Sequence, residues 1–413
     1  MLYSLAIRIY SPWNIKAGKW IKGRKNILKK IQSEISAGPS SKASKLIWVH
    51  CSSLGEFEQG KPVIEKIREQ GTRNKILLTF FSPSGYEVKK NYPGADHIFY
   101  LPMDSKKNAQ KFIDLINPSL VIFIKYDYWY YYLSEIKKRK INCLLISAVF
   151  RKDQVFFKWY GSLQRKMLSC FTHIFVQSEE SKKLLKTINV INCTVSGDTR
   201  FDTVIEIAGQ FEPIPLIEEF IGNKKCIIAG STWKEDEEIL QKAFDELPDH
   251  ELKLIIAPHE IEEAQFTRLK KLFPASVKFS EITTEPNKKL NSVLIIDNIG
   301  MLSRLYKYAY VTYVGGGFTK DGVHNVLEAA VYGKPVVFGT NYKKYKEAID
   351  LVENEGAKSF SAKDELYQIL LTLLNDEDDY MQKCVASKNY VMQNRGATEK
   401  ILHYIEEKRL LTS

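Results

Sequence analysis

Short apolar runs alternate with helical patterns along the chain from Lys45 onward. In the first half these runs fall at 46–50, 76–80, 120–124, 143–147, 173–177 and 193–196, with helical patterns between several of them, as at 60–69, 107–116 and 179–187. A strand that is apolar throughout is buried on both faces, which is typical of a parallel sheet. We therefore predict an α/β architecture in which right-handed crossovers join parallel strands.

The pattern is interrupted at 209–215, where a glycine and two prolines break the chain, and then starts again. Apolar runs in the second half fall at 226–229, 252–257, 293–297, 310–314 and 335–338, and helical patterns follow at 366–374 and 400–408. We predict two Rossmann-like, doubly wound domains that face a cleft, with ligands at the carboxyl ends of the strands. The predicted divisions are an N-terminal segment at 1–30, a first domain at 31–208, a linker at 209–216, a second domain at 217–390 and a C-terminal helix at 391–413.

Composition indicates the class of partner. The 413 residues carry a formal net charge of +11, and 44% of them are hydrophobic. The length favours two domains, and the charge favours an acidic partner: nucleic acid, an anionic membrane or a phosphorylated substrate. Six cysteines are scattered without a C-x-x-C pair, so we expect reduced thiols rather than disulfides or a zinc site.

The first thirty residues combine eight Lys or Arg with no acidic residue, and apolar and aromatic side chains lie among them. This mixture predicts a basic amphipathic segment that associates with an anionic membrane surface. The segment lacks the apolar core and cleavage site of a signal peptide, and no run reaches the eighteen apolar residues of a spanning helix. The alternative is a basic arm that docks on its own protein.

The stretch 310–339 combines a buried run, three glycines at 315–317 and a predicted helix start. The glycines allow a tight turn and the close approach of a ligand. Asn325 and Glu328 form an N-x-x-E arrangement, and we expect the helix to end at Gly333. A Gly-rich loop that leads into a helix N-terminus presents free N–H groups to a phosphate. The alternative is a capped helix in which Glu328 bonds only its own backbone.

Two charged residues of the first half stand at the ends of predicted strands. Glu56 follows the first strand, where loss of solvent would raise its pKa toward the range of a general base. The alternative is a first-turn glutamate that complements the helix dipole. Arg200 closes the first half, and its planar guanidinium suits a phosphate. The alternative is a salt bridge to Asp198 or Asp202.

An aromatic cluster at 126–132 ends the third predicted strand and contains Asp127 next to Lys125. Aromatic faces stack on sugar rings and carboxylates bond sugar hydroxyls, so this segment could form the wall of a carbohydrate site. The alternative is an aromatic core seam in which Lys125 and Asp127 pair with each other.

Three strand ends in the second half carry small or polar residues, namely Ser231 and Thr232, then Pro258 and His259, then Ile299, Gly300 and Met301. The first of these loops is of the type that cradles an anion, or else supplies a helix N-cap. His259 could equally be an ordinary loop histidine. The three ends and the glycine-rich stretch converge on one edge of the sheet, which predicts a bound nucleotide in the C-terminal half.

With these residues in view, the chain resembles the 3-deoxy-D-manno-octulosonic acid (Kdo) transferases of lipopolysaccharide synthesis, in the version of Bacteroidetes-type bacteria. Nine segments carry the resemblance in order: WVHCSSLGE, IKYDYW, VQSEES, VSGDTRFD, IIAGSTWKEDEE, APHE, IIDNIGML, YVGGGF and GVHNVLEAAVYGKPVVFG. The resemblance implies a GT-B fold, with the acceptor on the first Rossmann-like half and the sugar nucleotide on the second.

By this resemblance Glu56 is the catalytic base, and Asp127 and Arg200 match positions that stabilise the transition state. The base would take a proton from an acceptor hydroxyl as that oxygen attacks the anomeric carbon of Kdo in CMP-Kdo, with inversion. The CMP-contacting segments of the family match Pro258, His259, Ile299, Gly300, Met301, Asn325, Val326, Leu327 and Glu328. To these the strand-end loops add Ser231, Thr232, Gly315, Gly316 and Gly317 as candidates for CMP-Kdo binding.

The implied acceptor is a lipid A precursor, a phosphorylated and acylated glucosamine disaccharide at the cytoplasmic face of the bacterial inner membrane. The protein would then be peripheral or N-terminally anchored, with no nucleic-acid partner and no metal or other cofactor. Three positions depart from the family: the segment 125–130 replaces an E-T-E-x-W-P run, His259 replaces an arginine and Val326 a proline. The rival functions are a GT-B enzyme or epimerase that uses a UDP-sugar, and a non-catalytic protein that binds anionic lipid.

Overall fold

The computed structural model describes residues 14–36, 45–71, 74–248, 252–284 and 291–411. The chain divides into two compact units. The first comprises Met1–Asp202 together with Arg395–Ser413, and the second comprises Thr203–Asn394. Each unit is built on one parallel sheet, as the alternating pattern predicts.

The described strands of the first unit form a seven-stranded sheet in the order β3-β2-β1-β4-β5-β6-β7. They are β1 (Leu46–Cys51), β2 (Lys75–Phe80), β3 (His97–Tyr100), β4 (Leu120–Ile124), β5 (Asn142–Ala148), β6 (His173–Val176) and β7 (Cys193–Val195). The helices are α1 (Ile15–Arg24), α2 (Ile27–Ser36), α3 (Leu54–Glu69), α4 (Pro83–Lys89), α5 (Lys106–Ile116), α6 (Tyr130–Lys138), α7 (Ser162–Leu168), α8 (Glu179–Thr187) and α9 (Arg200–Gly209), the last of which continues into the second unit.

The described strands of the second unit also form a seven-stranded sheet, in the order β10-β11-β9-β8-β12-β13-β14. They are β8 (Cys226–Thr232), β9 (Lys253–Pro258), β10 (Val277–Lys278), β11 (Val293–Ile295), β12 (Val311–Val314), β13 (Val336–Gly339) and β14 (Ala357–Phe360). The helices are α10 (Pro215–Ile221), α11 (Lys234–Glu246), α12 (Glu263–Leu272), α13 (Phe279–Thr284), α14 (Leu302–Leu305), α15 (Leu327–Ala330), α16 (Lys346–Glu353), α17 (Lys363–Asn375) and α18 (Glu377–Gln393), and α19 (Ala397–Glu407) returns to the first unit.

Burial on both faces explains why the central strands are apolar throughout. Every residue of β4 is buried, and the two faces of the first sheet carry separate hydrophobic clusters. Ile401 and Ile405 of α19 belong to one of these clusters, which is why the end of the chain packs on the first unit. The strand order reverses between β1 and β4 and between β8 and β12, so each sheet has a switch point where side chains from two strand ends meet.

The predicted apolar runs all contain strands of the structure, which confirms the doubly wound architecture. Three described strands, β3, β10 and β14, were not predicted, and each lies at an edge of its sheet. An edge strand is short and partly exposed, so it lacks the apolar run that marks a central one. Within the segment predicted as a linker, α9 ends at Gly209 and α10 begins at Pro215, so residues 210–214 connect the two helices.

Part of the predicted membrane-associating segment docks on the first unit. Trp20 of α1 is buried, and the guanidinium of Arg24 lies 4.2 Å from its ring centroid. Arg24 also donates to the carbonyl oxygen of Leu101 at 3.0 Å. Residues 1–13 lie outside the described part of the chain. Among the described helices, none has the length and apolar character needed to cross a membrane.

Candidate functional site

The end of β1 and the end of β4 bring two carboxylates together at the switch point of the first unit. The backbone N–H of Ser52 donates to Oε2 of Glu56 and, at 3.1 Å, to Oδ2 of Asp127. The hydroxyl of Ser52 donates to Oδ1 of Asp127. One serine therefore holds the two acids side by side, although they are far apart in the sequence.

Local sequence places Glu56 at this point. Ser53 is the N-cap of α3, and its Oγ accepts from the Glu56 N–H at 3.4 Å, so Glu56 stands in the first turn next to the strand end. The chain leaves β4 through Lys125, which has a φ of 61°. A lysine in this left-handed region is held there by its surroundings at an energetic cost, and such backbone is frequent at functional sites.

Burial governs the electrostatics of this acid pair. Loss of solvent raises the pKa of Glu56, while the Ser52 N–H, Asp127 and Lys125 lower it. Loss of solvent and then the charge of Glu56 raise the pKa of Asp127 well above its ordinary range. Two adjacent carboxyls cannot both ionise cheaply, so the pair titrates as a unit. Asp127 is the more deeply buried of the two, which favours the proton on Asp127 and the negative charge on Glu56.

His50 and Trp129, which the sequence analysis did not assign, complete the surroundings of Asp127. The indole N–H of Trp129 donates to Nε2 of His50 at 3.0 Å and to Oδ1 of Asp127 at 3.2 Å. Nδ1 of His50 lies 3.0 Å from the carbonyl oxygen of Thr79. Burial lowers the pKa of His50 to about 3, so the ring is neutral, donates from Nδ1 and accepts at Nε2.

Arg200 forms the salt bridge that the sequence analysis considered as an alternative. Its Nη2 lies 2.6 Å from Oδ2 of Asp198, and its Nε contacts both carboxylate oxygens. Asp202 instead accepts from the N–H groups of Gly396 and Thr398 at the start of α19. Burial raises the pKa of Tyr126, with the charge of Arg200 opposing the rise. The charge of Arg151 opposes this rise more strongly than that of Arg200 does.

In the second unit, a cavity of about 410 Å³ opens at the ends of β8, β9 and β11. Predicted binding residues line it: Ser231, Pro258, His259, Ile299 and Gly300. Ser231 has a φ of 53° at the end of β8. Thr232 is buried, and its hydroxyl donates to Glu237 at 2.9 Å, so it belongs to an internal network rather than to the cavity wall. The cavity confirms that three predicted strand ends converge.

The glycine-rich loop differs from the expectation of free N–H groups. The Gly315 N–H donates to the carbonyl of Gly230 at 2.9 Å, and the Gly316 N–H donates to Asp236 at 2.9 Å. Close packing explains why glycine is needed, since a Cβ at Gly315 would lie 2.3 Å from the Ser231 oxygen and one at Gly317 would lie 2.4 Å from a backbone nitrogen. The expectation that these two N–H groups are available to a phosphate was therefore wrong.

The predicted helix after the glycines is one short turn, α15, separated from them by a loop. Asn325 donates from Nδ2 to Oε1 of Glu328 at 2.9 Å, so Glu328 bonds more than its own backbone. The side chains of Val326 and Leu327 are fully buried, and Met301 is 9% exposed. Ligand contacts of these three residues would have to involve mainly their backbone. Glu328 is half-buried.

Several relatives are similar to this chain over most of its length. The family model for 3-deoxy-D-manno-octulosonic acid transferase (kdotransferase) matches residues 26–203. The 3-deoxy-D-manno-octulosonic acid transferase of Aquifex aeolicus is 30% identical over 324 residues, covering 77% of this chain and 82% of that protein. A bifunctional glycosyltransferase/methyltransferase of Fusobacterium nucleatum is 24% identical over 100% of this chain, which spans 61% of that protein's length.

Among solved structures, the UDP-GlcNAc 2-epimerase of Neisseria meningitidis aligns with a TM-score of 0.56 and 15% identity, covering 88% of this chain and 100% of that one. At this identity the likeness concerns the fold alone. It agrees with the two parallel sheets and confirms the predicted GT-B class. The sequence relatives decide the family: the chain belongs to the 3-deoxy-D-manno-octulosonic acid (Kdo) transferases, glycosyltransferases of lipopolysaccharide synthesis.

Proposed function

We propose that this Kdo transferase moves Kdo from CMP-Kdo to a lipid A precursor with inversion, and that Glu56 is the base. The observation that carries the proposal is the buried acid pair at the ends of β1 and β4. A carboxylate whose pKa is raised by burial accepts a proton more readily than one in water, which suits a general base. Asp127 keeps the pair's own proton and leaves Glu56 ionised.

The proposed step forms one bond and breaks one. An acceptor hydroxyl gives its proton to Glu56 as its oxygen attacks the anomeric carbon of Kdo. The bond from that carbon to the phosphate oxygen breaks, and CMP leaves with the electron pair. Asp127 and Arg200 stabilise charge as it develops, Asp127 as a hydrogen-bond donor and Arg200 as a cation. Both roles rest on the family match, and Asp127 is in addition a member of the acid pair.

The second unit is proposed to hold CMP. Its cavity lies at the carboxyl ends of the strands, where nucleotides bind in doubly wound sheets. The cavity walls at Pro258, His259, Ile299 and Gly300 belong to the segments that match the family's CMP contacts. The half-buried Glu328 is proposed to accept from ribose hydroxyls, with Asn325 fixing its carboxylate.

An exposed aromatic patch of the first unit supports association with an anionic membrane. Trp159 is 90% exposed and packs edge-on against Tyr160 at 5.4 Å. The basic residues Arg151, Lys152 and Lys166 are exposed nearby in the sequence. Aromatic rings next to lysines suit the headgroup region of the cytoplasmic leaflet, where we propose that the enzyme meets its acceptor.

The decisive experiment incubates the purified full chain with CMP-Kdo and lipid IVA and reads the masses of the products. Acceptor masses increased by Kdo, with CMP released, are the expected outcome. UDP-GlcNAc in place of CMP-Kdo is the competing donor. Turnover of the UDP-sugar alone would refute the proposed donor, and CMP-Kdo binding without turnover would leave only a binding protein.

The membrane proposal has a separate test in sedimentation with anionic vesicles at low and moderate salt. Deletion of residues 1–24 removes the basic segment, and Trp159→Ser removes the exposed indole. We expect each change to reduce pelleting and their combination to abolish it. A matched control is Val385→Ser, which replaces an exposed apolar residue of the second unit. Unchanged pelleting of the double variant would refute the proposed attachment.

A further inference from the structure

Trp233, His259 and His324 form an aromatic cluster beside the cavity of the second unit. The indole N–H of Trp233 donates to Nε2 of His324 at 3.0 Å, the two ring planes are 7° apart, and their centroids are separated by 6.4 Å. These values describe two rings joined edge to edge in nearly one plane. The ring of His259 lies across both, with centroid distances of 4.6 Å to the indole and 4.4 Å to His324.

The hydrogen bond fixes the state of His324. Because Nε2 accepts from the indole N–H, it carries no proton, and the neutral ring has its proton on Nδ1. Burial, followed by the neighbouring His259, lowers the pKa of His324 to about 4, while Asp321 opposes this shift. His324 is also packed against the glycine-rich loop, since a Cβ at Gly316 would lie 2.8 Å from its ring. Trp233 and His324 are therefore a fixed neutral platform.

His259 differs from its platform because it lines the cavity. Its backbone N–H donates to the carbonyl of Thr232 at 3.0 Å, which ties the residue to the end of β8. Burial lowers the pKa of the His259 ring, and Glu260 opposes this shift. A bound anion would favour the imidazolium, and the indole face beneath it would stabilise the cation further. Glu260 and Glu262 in the cavity wall, together with Asp321 beside His324, act in the same direction by their charge.

We propose that Trp233 and His324 are positioning residues that hold His259 as the phosphate ligand of the donor site, and that His259 takes up one proton when a cytidine phosphate binds. The inference rests on the proposed function, because it requires the cavity to hold the donor. The resemblance implies that His259 stands in place of an arginine, and on this proposal its charge forms when the phosphate arrives.

The test is calorimetry of the full chain with cytidine 5′-O-methyl phosphate, a diester that keeps one charge between pH 6.5 and 8.5, and with cytidine. Buffers of different ionisation enthalpy give the number of protons bound. We expect the protein to take up close to one proton when the diester binds at a pH where His259 of the free protein is neutral. The affinity for the diester should then rise by up to about tenfold per pH unit as the pH falls. Binding of cytidine should cause no proton uptake by the protein.

Substitutions distinguish the role of His259 as the phosphate ligand from the role of Trp233 and His324 in positioning it. His259→Gln should lose the proton uptake, and His259→Arg should bind the diester with little dependence on pH. Trp233→Phe keeps an aromatic ring but removes the donor to His324, so we expect weaker binding and uptake displaced to lower pH. A merely structural role for Trp233 would alter stability and leave the proton count unchanged. The control is His403→Gln, an exposed histidine of the first unit.

The outcomes distinguish the two proposals. Diester binding without proton uptake, or with the same uptake in His259→Gln, overturns the role of His259 and leaves the donor site standing. If the chain binds neither cytidine ligand but binds UMP, the proposed donor fails, and the inference fails with it.

Discussion

The two units place an acidic residue at the same position and use it differently. Glu56 and Asp236 are each the third residue of the helix that follows the first strand of their sheet. Each is contacted from the strand across the switch point. Asp236 accepts from the N–H groups of Trp233 and Gly316 and from the hydroxyl of Tyr313, all at 2.9 Å. Glu56 instead faces Asp127, a second acid.

If the proposed function holds, this difference separates a structural carboxylate from a catalytic one. Three donors satisfy Asp236 and fix the glycine-rich loop, and they oppose the rise in its pKa that burial and the charge of Glu235 cause. Glu56 shares the Ser52 N–H with Asp127, and Asp127, Lys125 and the Ser53 N–H also stabilise its charge. What distinguishes Glu56 is its neighbour, a second buried acid whose pKa is also raised, and perturbed acid pairs of this kind are frequent at catalytic sites.

The largest effect should come from removing the base. We predict that Glu56→Gln lowers kcat by about 10³-fold, within the range that general base catalysis contributes, because Gln cannot accept the proton. Folding and CMP binding should be close to those of the wild type. The measurement is the initial rate of CMP release with lipid IVA.

Glu58→Gln is the matched control for the base. Glu58 lies two residues further along α3 and pairs with Lys89 at 3.2 Å, outside the acid pair. Its variant should keep nearly full activity. Equal losses in the two variants would show that the helix, rather than the Glu56 carboxylate, matters.

In the second unit, we predict that removal of the acid lowers the free energy of unfolding. Asp236→Ala leaves the Gly316 N–H and the Tyr313 hydroxyl buried without their partner, at a cost of about 3 kcal/mol in the free energy of unfolding. Urea denaturation followed by tryptophan fluorescence measures this loss. Glu56→Ala should cost less than about 1 kcal/mol in the same assay, because it relieves a pair of adjacent acids. A larger loss from Glu56→Ala than from Asp236→Ala would contradict the comparison.

The acid pair should also make the stability of the folded protein depend on pH. In the unfolded chain both acids ionise near pH 4, whereas in the folded protein burial raises the pKa of each. Stability should therefore fall as pH rises above about 4 toward the raised values, by about 1.4 kcal/mol for each pKa unit. Glu56→Gln removes one acid, and we expect a shallower decline in its thermal midpoint between pH 5 and 8. Parallel curves for the two proteins would contradict the coupling.

The smallest predicted effect concerns Ser52. Ser52→Ala keeps the backbone N–H that both acids share and removes only the hydroxyl donor to Asp127. A hydrogen bond to a charged or strongly polar acid contributes about 1.5 kcal/mol, so kcat should fall by roughly tenfold or less. Ser53→Ala is the control, since it loses a helix cap and should change stability by about 1 kcal/mol with little change in kcat. A loss equal to that of Glu56→Gln would give Ser52 a catalytic role of its own.

Much of the fold was predictable because its determinants are local. Buried central strands such as β4 are apolar runs, and a serine before a helix reads as a cap, as at Ser53. The edge strands β3, β10 and β14 carry no such run and were missed. His50 stands out in the sequence only as a polar residue inside an apolar strand. That pattern does not predict its hydrogen bond with Trp129.

The sequence by itself determined two α/β units, the strand ends that carry polar residues, and through its motifs the family. Only the tertiary structure decided which of those residues meet. Ser52 and Asp127 are 75 positions apart, and Asp236 and Gly316 are 80 apart, yet each pair is joined because the strand order reverses between them. Side-chain pairing across a switch point depends on the order of strands in the sheet, and local patterns of apolar residues carry no record of that order.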